Sequence, residues 1–565
     1  MRARAFFVTL FTPLFLSILT LAFNIQPARA ESRTWIVDDD GPADFRTIQE
    51  AINAASSADT ISVAAGTYYE NVVVKKSMKL IGEDMDNTII DGGKSGIVLC
   101  ITADNVAITN FTIAKGHPNL CGMYMNSSNN SIEGNIIAEN NWGIQFYESH
   151  NNVISSNLII SNSLGIYMIH CDHNTIDGNN ITGNNVGGAH MRHSTRNLFN
   201  RNIIIKNGGT GIFGADCSFS AFNENVLMEN KCGINIVDSR HVQCVGNAFF
   251  NNTYYGLRME DCSYYALVAG NSITGHEHGV WTHVSHFNVF IKNVLARNVN
   301  GFSFNGYPSG LNNILRYNDI INNTVGVHLW YADHTQFGKN NFVDNTLHVQ
   351  SEGSINHWDE GYTFGGNYWR DHNGTDMSGG PYQNVTGGDG IADTPYVVAE
   401  YNQDNYPLME PVNAFHVGTW DNATHYVDIV SNSTISNFAL DIPERIISFN
   451  VTDTEVGFCR VTIPNVIVQE LWQGNYTVLV DGEKPLTLKN WTNQENTCVH
   501  FTYKLSEHEV TIIPQFPSTL VLLSVIIFLT AVVVIMAKIR LTENLAGPVH
   551  INGRAVQCLR SLEVC

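Results

Sequence analysis

A glycine followed by an apolar residue returns along the middle of this chain at a spacing that few folds can accommodate. It stands at Gly122, Gly143, Gly165, Gly187, Gly211, Gly233, Gly256, Gly279, Gly301 and Gly326, at intervals of 21 to 25 residues. Each interval holds further short β-forming runs, such as "NVISSNLIIS" and "NTIDGNNIT", with almost no proline and no room for a long helix. One such unit makes about three short strands and cannot bury its own apolar face; stacking units buries it, each coil pairing with the next by parallel ladders. The expected fold is all-β: a right-handed parallel β-helix whose ten coils, at about 4.8 Å each, give a core roughly 50 Å long. Asn135, Asn157, Asn179, Asn225, Asn247, Asn293 and Asn340 recur in step with the glycines. Such a column reads as a side-chain hydrogen-bond ladder at a turn.

The flanking segments set the domain plan. An open solenoid end would recruit other strands, and "DFRTIQEAINAAS" places Phe45, Ile48, Ala51 and Ile52 at helical spacing, as a capping helix needs. In residues 1–30 two arginines precede an apolar run that ends in "ARA", the pattern of a cleaved secretory signal. Phe516 to Ala537 is free of charge and long enough to span a hydrocarbon core of roughly 30 Å. Lys538 and Arg540 follow at once and place the tail on the cytoplasmic side. The expected plan is a signal peptide at 1–30, a capped β-helix at 31–411, a β-sandwich at 412–515, a transmembrane helix at 516–537 and a cytoplasmic tail at 538–565. The two folded units then lie outside the cell on a single-pass anchor.

An extracellular position agrees with the Asn-x-Ser/Thr sites at Asn110, Asn126, Asn129, Asn180, Asn251, Asn322, Asn373, Asn384, Asn422, Asn432, Asn450, Asn475 and Asn490, which are expected to be glycosylated. The formal net charge of -21 argues against nucleic acid or anionic lipid as partners. Of the eleven cysteines, Cys459 and Cys498 stand alone in the sandwich and form the expected disulfide.

The capping helix, "DTISVAAGTYYENVVV", the asparagine-laddered coils and the closing "GNYW…DGIADTPY…NQDNYPLMEP" resemble the NosD-like β-helix family, within the wider group of carbohydrate-binding and sugar-hydrolase β-helices. The similarity runs from about Thr34 to Pro411, and the sandwich resembles a module of archaeal cell-surface proteins. The resemblance implies copper as one ligand. His150, His170, His173, His190, His193 and His241, with Met123, Met125, Met168, Met191 and Met259, are the residues available for it.

Alternation along the strands sorts the candidate site. In "GHEHGVWTHVSH", Trp281 and His283 should face outward and His278, in a mostly apolar column, inward. The outward set is Tyr124, Tyr147, Tyr167, Arg258, Glu260, Trp281, His283, Asn305, His328 and Trp330. Flat aromatic faces beside polar groups are what a sugar-binding groove needs, so extracellular or cell-envelope carbohydrate is the expected partner. Glu260 and His283 are the candidates for proton transfer if the chain is instead a polysaccharide lyase, hydrolase or epimerase. Two acidic groups read as candidate calcium ligands: Asp216, Asp238 and Asp261 on consecutive coils, and Asp371, Asp376, Asp389 and Asp393 around the closing loop.

Overall fold

The structure is a computed structural model and describes residues 32–261, 264–307, 311–420, 423–452, 456–504, 506–515 and 529–538. Three parallel sheets of 14, 13 and 14 strands run its length. The first opens on Thr34–Val37, the second on Val72–Val74 and the third on Gly66–Tyr69; each strand pairs with its counterpart one coil on. The chain visits the sheets in rotation, which makes a right-handed parallel β-helix of about 14 turns. The glycine spacing marks only ten of them. The earliest coils carry Val72–Val74 and Leu99–Ile101 in the second sheet, where later coils carry the glycine.

The glycine has a steric cause. A Cβ at Gly143, Gly165, Gly279 or Gly301 would lie 2.5 to 2.6 Å from the carbonyl oxygen of the equivalent glycine on the next coil. Only hydrogen fits at this corner. The register also moves one marker: Leu164 pairs with Gly187, so Gly188, and not Gly187, is the column glycine of its coil.

Asparagine ladders hold each turn. In the expected column, Asn135, Asn157, Asn179, Asn202, Asn225, Asn247, Asn271, Asn293, Asn318, Asn340 and Asn367 are buried. From Asn157 on, each Oδ1 accepts the backbone N–H and side-chain Nδ2–H of the asparagine one coil earlier, as in Asn202 to Asn225 at 3.0 Å for both, while Asn135 Oδ1 accepts the Phe111 N–H. The last rung, Asn367, donates its backbone N–H to Asp404 at 2.7 Å. Two further ladders occupy the other turns, from Asn130 through Asn152 to Asn174 and from Asn140 through Asn162 to Asn184. In the last of these, His276 replaces the asparagine between Asn252 and Asn298: its Nδ1 lies 3.1 Å from the Asn252 N–H and its own N–H donates to Asn298 Oδ1.

The capping helix runs Ile48–Ala54, with Ile48, Ala51 and Ile52 buried and Thr47 Oγ1 accepting from the Glu50 N–H. Phe45 precedes it in a bridge to Val37. After the solenoid, a five-stranded and a four-stranded antiparallel sheet share one buried cluster that includes Val427, Val461, Phe501, Phe449 and Ile512. Cys459 and Cys498 are not bonded: both are buried and free, and the register sets Cys459 opposite Phe501 and Cys498 opposite Thr462.

The two units join through buried polar contacts. The Lys339 ammonium meets Asp428 and Thr462 Oγ1, and Tyr317 donates its hydroxyl to Asp428 at 3.1 Å. The fully buried Arg460 donates to the carbonyls of Asp389 (2.9 Å) and Tyr362 (2.6 Å). Among the described residues no helix is long and apolar enough to cross a membrane. Residues 516–528 of the expected span lie outside the described residues, and 529–538 are helical. The expected signal peptide, the tail beyond residue 538 and the glycosylation candidate Asn422 also lie outside them.

Candidate functional site

The second sheet presents its outer face as two columns. One runs Tyr124, Gln145, Tyr167, His190, Phe213, Asn235, Arg258, Trp281, Ser303 and His328. In the other, Tyr147 is followed by Ile169, and further along come Val237 and Glu260, then His283, Asn305 and Trp330. Val280 and Thr282 alternate with these and are buried, so Trp281 and His283 face outward as the alternation requires.

His278 does not pack inside. It stacks on Tyr255 with centroids 5.5 Å apart, and its Nδ1 lies 2.8 Å from the hydroxyl of Ser303, in the column of Trp281. Gly279 fills the tight inner corner, which leaves the residue before it to the outer side. Tyr255 is a member of the site for the same reason. Sequence alternation missed both because strict parity breaks at the glycine. The signal that marks them is the aromatic pair Tyr255 and His278 one residue before consecutive column glycines.

These residues form one compact group. Arg258 lies over the rings of Tyr255 (5.0 Å) and Trp281 (4.9 Å) and pairs through Nη2 and Nε with both Glu260 oxygens, at 2.9 and 2.8 Å. Trp281 stacks on His283 at 5.8 Å and 9°, and Tyr255 lies 5.7 Å from Trp281. His283 Nδ1 lies 3.3 Å from Asp261 Oδ1. Glu260 and His283 are thus neighbours on the face, but Arg258 holds the first and Asp261 orients the second. Burial holds the His278 imidazole below its usual range, and pushes His190, on the same face beside Arg192, down to about 4. Near neutral pH both are uncharged, and the charges of Arg258 and Glu260 offset each other. Tyr124, Tyr147 and Tyr167 stand several coils away, Tyr167 packed on Trp142 at 5.2 Å.

The acidic columns have other partners. Asp216 takes His193 Nδ1 at 3.0 Å, Asp261 takes His283, and Asp238 joins neither. Around the closing loop, Asp376 accepts the N–H groups of Asp389 and Gly390, and burial pushes it up to about 6. Asp389 accepts from Tyr362, Gly380 and Ile391, and Asp393 from Met377 and Ser378. Asp371 is shared by Tyr396 and His348. Their oxygens serve backbone and side-chain donors, and the structure does not gather them into a three-ligand group. Among the described residues only Asp38, Asp39 and Asp40 bring three such atoms within 4.8 Å of one another.

Residues 52–230 and 216–374 match the family described as "Periplasmic copper-binding protein (NosD)". The chain is also similar to a probable pectinesterase/pectinesterase inhibitor of Arabidopsis thaliana, 41% identical over 69 residues, and to pectinesterase 2 of Citrus sinensis, 45% over 65 residues. These matches cover 11% of this chain and only 12% and 13% of those proteins. Among solved structures it is similar to the Azotobacter vinelandii mannuronan C-5 epimerase AlgE4 A-module (16% identity, TM-score 0.41, 55% of this chain and 94% of that one). It is also similar to the PL6 family alginate lyase AlyGC (14%, TM-score 0.44, 57% and 53%). The residues do not fit a copper centre. Met123, Met125, Met168, Met191 and Met259 are buried in the core. His193 Nδ1 is engaged by Asp216 at 3.0 Å, and among the described residues none of the candidate histidines joins a group of three ligand atoms within 4.8 Å of one another. The family itself is settled by extent: with matches reaching from residue 52 to residue 374, more than half of its 565 residues, the chain belongs to the NosD family.

Proposed function

We propose that the protein binds extracellular or cell-envelope carbohydrate on the outer face of the second sheet. The observation that carries this reading is the group of Tyr255, Arg258, His278, Trp281 and His283, built on adjacent strands of a rigid solenoid. Aromatic rings offer apolar faces to the C–H surface of a sugar, and the guanidinium, imidazole and carboxylate groups around them serve its hydroxyls. Sites on regular strands hold their geometry better than sites on loops. The two carboxylates Glu260 and Asp261 beside the single guanidinium of Arg258, with the net charge of -21, favour a neutral saccharide over a polyanion. Binding is preferred to lyase, hydrolase or epimerase chemistry because Arg258 pairs with both oxygens of Glu260, the carboxylate beside His283. The charge-free run Phe516 to Ala537 supports a position for this groove at the cell surface on a single-pass anchor.

A glycan array probed with the purified chain tests the reading. Retention of neutral glycans, lost in Trp281→Ala, supports it. Release of shortened or unsaturated products would favour the enzyme instead. Stoichiometric copper retained after dialysis, with no glycan bound, would favour a metal-handling role.

A further inference from the structure

A second exposed aromatic group stands further along the same face. Tyr307, Trp330 and Tyr331 are 61%, 38% and 47% exposed. Tyr307 follows strand Asn300–Asn305, its N–H directed at Asn305 Oδ1 at 3.4 Å; Trp330 ends strand Val325–Trp330. Tyr331 meets Tyr307 at 5.8 Å and Trp330 at 5.6 Å, both at 70°.

The angle decides what these rings can do. At a nearby turn Phe219, His241, Tyr265 and Phe287 stack at 13° to 16°, so the inner rings of the stack turn their faces to one another. Rings crossed at 70° leave faces open. An open face is what the C–H surface of a sugar needs. Register sets the spacing: Trp330 lies two coils beyond His283, past Asn305, or roughly 9.6 Å at the usual strand separation.

We infer that Tyr307, Trp330 and Tyr331 form a second station for the carbohydrate proposed above, and that the ligand is an extended neutral chain running along the solenoid axis. The inference rests on that reading and goes further: a single terminal sugar, or a chain crossing the strands, meets one station only. A chain that engages both gains the second contact as an intramolecular event, so affinity rises steeply once the ligand is long enough to reach.

The test is an array of neutral glucans, mannans and galactans graded from monosaccharide to octasaccharide, probed with the full chain and with Trp281→Ala, Trp330→Ala and Tyr307→Ala. For the parent, apparent affinity should rise on the order of tenfold across one or two added sugars and then level off. Trp330→Ala and Tyr307→Ala should remove that rise and leave the shortest bound fragments unchanged. Trp281→Ala should weaken every length. Loss that is equal at all lengths in Trp330→Ala, or no loss, overturns the second station while leaving the first. An inert Trp281→Ala, or no glycan bound by the parent, overturns the reading beneath it.

Discussion

Replacing Asn225 by alanine removes one rung from the middle of a ladder, and its cost can be worked from the contacts. The side chain makes four hydrogen bonds. Its Oδ1 accepts from the N–H and Nδ2–H of Asn202, both at 3.0 Å, and its Nδ2 donates to Phe199 O and Asn247 Oδ1, also at 3.0 Å. Alanine leaves the two Asn202 donors and the Phe199 carbonyl unpaired in a site where Asn202 and Asn225 have no exposure. Asn247 Oδ1 keeps one partner, the backbone N–H of residue 225. Three stranded groups at about 1–3 kcal/mol each give a loss of about 3–9 kcal/mol, a large part of the roughly 5–15 kcal/mol that stabilises a typical domain. Because each coil touches only its neighbours, the loss should appear as local opening of flanking coils before global unfolding. Amide hydrogen exchange reads both: the Asn202 and Ala248 amides should lose protection first. Asn180→Ala, on an exposed side chain, is the control and should change stability by about 0.5 kcal/mol or less. An Asn225→Ala loss below about 1 kcal/mol, within the range of one ordinary hydrogen bond, would refute the ladder as a source of stability.

Further outcomes follow from other sites. Burial holds the pKa of His276 below its unfolded value, so the stability tied to its neutral form is complete above the unfolded pKa and is lost as pH falls through that value toward the folded one. His276→Asn should restore an asparagine rung and flatten the acid limb of a stability–pH curve; an unchanged limb would clear His276 of that role. At the junction, Lys339→Met strands a buried Asp428 carboxylate and should cost about 3–5 kcal/mol in denaturant unfolding; a loss under about 1 kcal/mol would show that the pair is not sealed from water. Because the loop carboxylates already serve protein donors, a chelator should leave the melting temperature unchanged. A calcium-dependent rise abolished by Asp376→Asn or Asp393→Asn would instead show a site that forms on binding.

The solenoid was legible because its rule is local and repeated. A glycine that cannot carry a Cβ, an asparagine that must pair and an alternating strand each leave a mark at fixed spacing. Where the mark changes, the pattern thins: coils without the glycine carry no marker, and Gly187 and Gly188 fit the same spacing equally well. His278 was misplaced for a related reason. Its column holds buried Cys121, Leu164 and Cys232, which look like core, yet the corner turns that column to the rim of the groove. The Lys339–Asp428 and Arg460 contacts join residues 89 and 71 positions apart, and no local pattern announces a pairing of that kind. The Cys459–Cys498 disulfide failed similarly: pairing by elimination ignores the register that separates them.

Oxidative footprinting of the full chain, with and without the glycan it retains most tightly, tests the location of binding most directly. Tyr255 and Trp281 should lose labelling on binding, while Tyr382 and Tyr401, exposed on the closing loop and its hairpin, should keep theirs. Unchanged labelling at Trp281, or protection confined to the closing loop or the C-terminal sheets, would contradict a carbohydrate site on the second sheet.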